Sequence, residues 1–115
     1  MSKLLVPFFT AGFPELNSTE NVLKILQDNG ADYIEVGLPH SDPLADGDTI
    51  QYSSGIAVKN GMNIDILSEQ VRKFKEKIKE KETNKEKSAK LILFSYYNPV
   101  LAYGLERVVK LWKDV

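Results

Sequence analysis

The sequence predicts an α/β fold with a parallel sheet, and three observations carry that prediction. Three short strand-like segments, Leu4–Thr10, Asp32–Leu38 and Leu91–Tyr96, are separated by long connections. Helical periodicity follows each of them. Connections of that length allow parallel strands with right-handed crossovers, and the near-continuous apolar runs of the first and third strands suit a sheet covered on both faces.

Leu4 to Thr10 (LLVPFFT) is the first strand. Asn17-Ser18-Thr19-Glu20 then offers an Asn N-cap with Glu at N3, ahead of Val22, Leu23, Ile25 and Leu26 at helical spacing, and Gly30 stops this helix. Asp32 to Leu38 (DYIEVGL) alternates Ile34, Val36 and Leu38 against Tyr33, Glu35 and Gly37, which places one carboxylate inside an apolar strand. The segment from Pro39 to Gly61 is too polar and too rich in Gly, Pro and Asp to be one regular element, although Ile50 to Val58 within it is compatible with a short helix. A clearer helix starts after Asn63 as cap, runs through Leu67, Val71, Phe74 and Ile78, and reaches about Lys81. Charges of both signs from Lys75 to Lys90 read as its solvated end and an exposed loop, with a break at Thr83-Asn84. Leu91 to Tyr96 (LILFSY) is the third buried strand. Gly104 to Val115 opens a third helix with Leu105, Val108, Val109 and Trp112 on one face.

Length then selects among α/β folds. A (β/α)8 TIM barrel needs about 250 residues, roughly 31 per unit, so 115 residues supply about the first three βα units. Residues 1–115 are therefore expected to be the N-terminal part of a single barrel domain, truncated inside a helix. An obligate oligomer of small βα units is the competing explanation, because three strands alone leave two open edges.

Composition narrows the function classes. Fifteen Lys+Arg against sixteen Asp+Glu give a net charge of −1 and no basic field for nucleic acid. Without cysteine there is no disulfide, thiolate nucleophile or Cys-type zinc site, and one histidine leaves a transition-metal site short of ligands, so no metal is expected. A cytoplasmic setting fits, with no membrane span and no signal peptide in the sequence. The seven glycines form neither G-x-G-x-x-G nor a P-loop, and Asp42 to Ser53 fails as a calcium loop because Leu44 and Ser53 stand at ligand positions. His40, Ser41 and Asp42 are adjacent in sequence and lack a G-x-S-x-G elbow, so they make no hydrolase triad; His40 reads as a loop residue at a cleft mouth or packed locally.

Glu35 and Asp46 remain. Strand parity in a barrel sends Glu35 to the lumen near the strand's C-terminal end, where barrel enzymes keep their catalytic groups; a structural carboxylate satisfied by backbone donors fits the same spacing. Asp46 lies in the loop leaving that strand end and can fold back over the lumen, or can simply form a turn with Gly47. Val6, Phe8, Thr10, Ile92, Phe94 and Tyr96 share the lumen parity. Two carboxylates in an aromatic-lined pocket suit a flat, weakly polar ligand that gains or loses a proton, although core packing explains Phe8 and Phe94 equally well.

The run Ile34-Glu35-Val36-Gly37-Leu38-Pro39-His40-Ser41-Asp42-Pro43-Leu44-Ala45-Asp46-Gly47-Asp48-Thr49-Ile50-Gln51 resembles the signature of the tryptophan synthase α-subunit family, E-L/V-G-x-P-x-S-D-P-x-A-D-G-P-x-I-Q. Pro7 to Gly12 with Pro14 resembles that family's first strand, and Tyr96-Tyr97-Asn98-Pro99 its third-strand exit. The likeness covers nearly the whole chain and only the N-terminal part of the family's barrel. It implies a lyase of tryptophan biosynthesis that cleaves indole-3-glycerol phosphate to indole and glyceraldehyde 3-phosphate by a retro-aldol route, without a cofactor. By position, Glu35 would be the acid/base at indole C3, Asp46 would accept the indole N–H, and Phe8, Phe94 and Tyr96 would bind or shape the indole pocket. Pro39, Asp42, Pro43 and Asn98 would face the β subunit, which carries PLP and receives the indole, in an α2β2 heterotetramer.

Two departures stand out: Asp48 where the family usually has Pro, and His40 where it usually has an aromatic. The resemblance also implies a phosphate site late in the barrel and a lid after strand 6, both outside this chain, so the 115 residues alone are expected to lack appreciable lyase activity. Another phosphate-binding barrel enzyme, such as an indole-glycerol-phosphate synthase or an isomerase, would be expected to show a catalytic Lys near strand 1, whereas Lys3 precedes the strand. A non-catalytic fragment that binds a β-type subunit is the other alternative.

Overall fold

A computed structural model describes residues 3–81 and 88–113. Along the chain run β1 (Phe8–Thr10), α1 (Ser18–Asp28), β2 (Tyr33–Gly37), α2 (Asp48–Lys59), α3 (Ile64–Lys81), β3 (Lys90–Phe94), α4 (Tyr97–Tyr103) and α5 (Leu105–Trp112). The three strands form one parallel sheet in the order β1-β2-β3. Phe8 pairs with Glu35 and Glu35 with Ile92, while Gly37 stands between Thr10 and Phe94. Parallel partners at one level project to one side, so the alternation read in β2 fixes a common face for Phe8, Glu35 and Ile92.

The opposite face makes the core. Ile34 and Val36 are fully buried there, in one cluster with Leu23 of α1, Ala57 of α2, and Leu67 and Val71 of α3. The helix ends follow their sequence signals in part. Gly30 (φ 88°) and Gly61 (φ 94°) close α1 and α2 in the left-handed conformation that glycine adopts without strain. Asn63 caps α3, its Oδ1 accepting the Ile66 N–H at 2.9 Å. Asn17 makes no side-chain cap on α1. The Ser18 and Thr19 hydroxyls instead accept the Glu15 and Gly12 N–H groups, which ties the segment before α1 to the helix's first turn.

Several elements differ from expectation. β1 is three residues long, because Pro7 has no N–H for the ladder and Leu4 to Val6 lie exposed on the sheet edge. β3 stops at Phe94, and it is not buried on both faces: Leu91 and Leu93 pack on the helix layer while Ile92 and Phe94 stay exposed on the other side. The connection after β2 contains a full 12-residue helix, α2, and α4 lies where a strand exit and loop were expected. Pro99 sits in the first turn of α4, the one place where a helix tolerates proline. Of the α5 face, Val108 is buried and Trp112 donates its indole N–H to Ser68 Oγ at 3.1 Å, whereas Leu105 and Val109 are exposed. The Thr83-Asn84 break lies outside the described residues. Among the described residues no helix is long and apolar enough to cross a membrane.

Candidate functional site

The sheet's open face and the loop after β2 enclose a cavity of about 310 Å³ at the C-terminal ends of the strands. Its floor is the strand face named above. Phe8 and Phe94 meet edge to face, with ring centroids 5.4 Å apart, and the Phe8 ring lies across Gly37. Only a residue without a side chain leaves room there, since a β-carbon at position 37 would stand 2.6 Å from Phe8 Cζ. Thr10, buried at the end of β1, shares a hydrogen bond of 2.8 Å with Ser53 of α2 and so ties the strand end to the helix behind the loop.

Asp46 and Tyr96 form one wall. The Tyr96 hydroxyl donates to Asp46 Oδ2 at 3.0 Å and accepts the Ala45 N–H at 3.0 Å. Partial burial and the bonded carboxylate together push the Tyr96 phenol above its ordinary value. The loop is further held by Gln51, whose amide donates to the Asp46 carbonyl at 2.8 Å, and by the Asp46 N–H, which donates to the Pro43 carbonyl at 3.1 Å. With Oδ2 engaged and no partner on Oδ1 among the described residues, Asp46 can accept a hydrogen from a bound molecule through Oδ1.

Glu35 stands apart from this wall. It lies on the same sheet face one step toward the strand's N-terminal end, half-buried between Phe8 and Ile92 in register, and is not among the residues that line the cavity. No hydrogen bond or ion pair reaches its carboxylate among the described residues. Phe8, Phe94, Tyr96 and Asp46 are thus brought together, with Glu35 on the same face beneath them.

Of Pro39, Asp42, Pro43 and Asn98, only Pro39 lines a described cavity. Pro39 lines both the first cavity and a second of about 340 Å³, which Pro99 also lines. Asp42 and Asn98 are exposed, and Pro43 is half-buried. Sequence reading missed Ser54, whose hydroxyl accepts the His40 N–H at 2.9 Å and donates to the His40 carbonyl at 3.1 Å. The only signal was a pair of adjacent serines within an apolar-patterned stretch. Among the described residues no three His, Cys, Asp or Glu side chains could together hold a metal ion.

The family model described as tryptophan synthase alpha chain matches residues 1–115. The chain is 45% identical over 108 residues to a tryptophan synthase alpha chain of Flavobacterium johnsoniae, covering 94% of this chain and 39% of that one. It is 46% identical over 105 residues to that of Pyropia yezoensis, covering 91% and 36%. The crystal structure of tryptophan synthase subunit alpha from Legionella pneumophila superposes with a TM-score of 0.86 at 32% identity, over 98% of this chain and 40% of that one. The chain thus spans about two fifths of the length of the relatives it matches. Three parallel strands with their helices are a part of a (β/α)8 barrel, as expected. Together with the match over all 115 residues, the fold and the carboxylate-bearing loop show that the chain belongs to the tryptophan synthase alpha chain family.

Proposed function

We propose that this chain is the N-terminal part of a single-domain barrel lyase of tryptophan biosynthesis, cleaving indole-3-glycerol phosphate to indole and glyceraldehyde 3-phosphate. The observation that carries the reading is the Asp46 carboxylate, held by Tyr96 over an apolar floor of Phe8 and Phe94, with the unpaired Glu35 on the same face. A flat indole ring suits that floor.

The chemistry follows from which atom must be protonated. Glu35 delivers a proton to indole C3, which gives the tautomer whose bond from C3 to the glycerol carbon can break. Asp46 accepts the indole N–H and stabilises the positive charge that develops on the ring. The Glu35 carboxylate left by that transfer then takes the proton of the adjacent glycerol hydroxyl; the O–H electron pair forms the aldehyde C=O, the bond from C3 breaks, and its electron pair returns to the ring to restore the indole, with Glu35 protonated again. Each step is acid–base chemistry, and the reading assigns the chain no cofactor. Phe8, Phe94 and Tyr96 shape the pocket. Pro39, Asp42, Pro43 and Asn98 face the PLP-carrying β subunit of an α2β2 assembly in the cytoplasm.

Binding of the substrate phosphate is assigned to barrel units beyond these three strands, so the 115-residue chain alone is expected to form no appreciable indole. The test joins this chain to the remaining units of the Flavobacterium johnsoniae relative and assays indole release. Activity in the joined chain that falls by about 10²-fold or more in both Glu35→Gln and Asp46→Asn supports the reading. A joined, folded chain whose variants keep full activity overturns it. Binding of a β subunit by the joined chain without any lyase activity would favour the non-catalytic alternative.

A further inference from the structure

We infer that His40 is a positioning residue for the Asp46 carboxylate, acting through Tyr96. That Asp46 meets a ligand rests on the reading above; how the carboxylate is held does not.

Ser54 is 3% exposed in α2, and its hydroxyl grips the His40 backbone from both sides, accepting from its N–H and donating to its carbonyl. The imidazole is thereby anchored at the cavity rim. Its Nδ1 accepts the Asp42 N–H at 2.9 Å, so the ring proton sits on Nε2. This bond closes the turn that starts the loop to Asp46, in the way an Asx side chain accepts from the residue two positions on. The same ring packs on Tyr96, with centroids 4.8 Å apart and planes tilted by 33°. A phenol can swing about its side-chain torsions, and a ring packed on one face removes most of that freedom. The Tyr96 oxygen is then left where it bonds both Ala45 N–H and Asp46 Oδ2.

One side chain therefore does two jobs that other residues would separate. Phenylalanine would supply the ring without the acceptor, and asparagine the acceptor without the ring. The imidazole couples the start of the loop to its catalytic end, which a loop of Pro, Gly and exposed Asp does not stiffen by itself. Asp42 bonds the imidazole through its N–H, Tyr96 packs on it, and Asp46 lies beyond Tyr96, while Ser54 of α2 holds the His40 backbone.

Nuclear magnetic resonance on this chain joined to the remaining barrel units of the Flavobacterium johnsoniae relative tests this with His40→Asn and His40→Phe. In His40→Asn the Asp42 amide is expected to keep its protection. Exchange at the Ala45 amide should rise about five- to tenfold, the factor set by one hydrogen bond of ordinary strength, and the Tyr96 phenol should titrate closer to free tyrosine. In His40→Phe the pattern inverts: Asp42 loses protection while Ala45 and Tyr96 hold. A merely structural role would instead speed exchange in α3 alike, at Val71 as much as at Ala45. Unchanged Ala45 and Tyr96 signals in His40→Asn would overturn the proposal. So would absence, in the unsubstituted chain, of nitrogen–nitrogen coupling across the bond from the Asp42 amide to His40 Nδ1, a measurement that needs no variant. No lyase step enters these spectra, so failure here and failure of the lyase reading are separately visible.

Discussion

The ring of Phe8 lies directly over Gly37 on the neighbouring strand, and the two together line the floor of the cavity. A methyl group at position 37 would meet Phe8 Cζ at 2.6 Å, Phe8 Cε2 at 2.7 Å and the Phe9 carbonyl oxygen at 2.8 Å. The ring could swing aside, but the backbone carbonyl could not. Gly37→Ala is therefore expected to cost about 1–3 kcal/mol through overpacking, read as a lowered urea midpoint, and to break the edge-to-face contact of Phe8 with Phe94.

Leu67 of α3 is fully buried against Leu23, Ile34 and Val71, in the layer that joins the helices to the back of the sheet. Leu67→Ala leaves a cavity there, at a cost of about 2–5 kcal/mol. For a single small core that is a large share of the total stability, and equilibrium unfolding should show the variant mostly unfolded at mild urea concentrations. The exposed Leu105→Ala on α5 serves as the control and should shift the midpoint little.

Stability should fall at alkaline pH. The carboxylate bonded to Tyr103, Asp65 at 2.8 Å, and then its partial burial push that phenol above its ordinary value; for Tyr96, burial leads and the Asp46 bond follows. A group whose folded pKa is raised holds its proton longer in the folded chain. Its stabilisation is complete below the unfolded value, about 10, and is lost as pH rises from there through the raised folded value. Lys75 works in the opposite sense, because burial lowers its ammonium and its contribution grows with pH. Tyr103→Phe should accordingly flatten the alkaline fall in the unfolding midpoint, and Lys75→Met should steepen it.

Local and periodic features of the fold were legible in the sequence. The parity of Ile34 and Val36 against Glu35, the stops at Gly30, the Asn63 cap and the Leu67–Val71–Phe74 spine all follow from side-chain spacing or from one residue's backbone freedom. What depended on the sheet's surroundings was not. The apolar runs at Leu4–Val6 and Ile92–Phe94 looked doubly buried, yet Leu4, Leu5 and Val6 are all exposed and Ile92 and Phe94 leave one side of β3 open, because hydrophobicity states what a strand could bury and not what covers it. Helix α4 was missed because Tyr96-Tyr97-Asn98-Pro99 was read as the exit of the third strand, whereas Pro99 occupies a first turn that needs no N–H from it.

The site was legible in the same uneven way. Glu35 followed from parity, and Asp46 from its place after the strand; the bond from Tyr96 to Asp46 joins residues 50 positions apart and has no local signal. His40 was read as a loop residue at a cleft mouth, and it does line that mouth. Its partner Ser54, 14 positions away on a helix hidden in a polar stretch, is what a one-dimensional reading lacks.

The most direct measurement is solvent exchange at indole C3, followed by proton resonance in heavy water with this chain joined to the remaining barrel units of its relative. Glu35 as the acid/base at that carbon should accelerate loss of the C3 proton signal. Glu35→Gln should abolish the acceleration while leaving the unfolding free energy within about 0.5 kcal/mol, since among the described residues no partner holds the carboxylate. A folded Glu35→Gln chain that exchanges the C3 proton at the unsubstituted rate would contradict the assignment of proton transfer to Glu35.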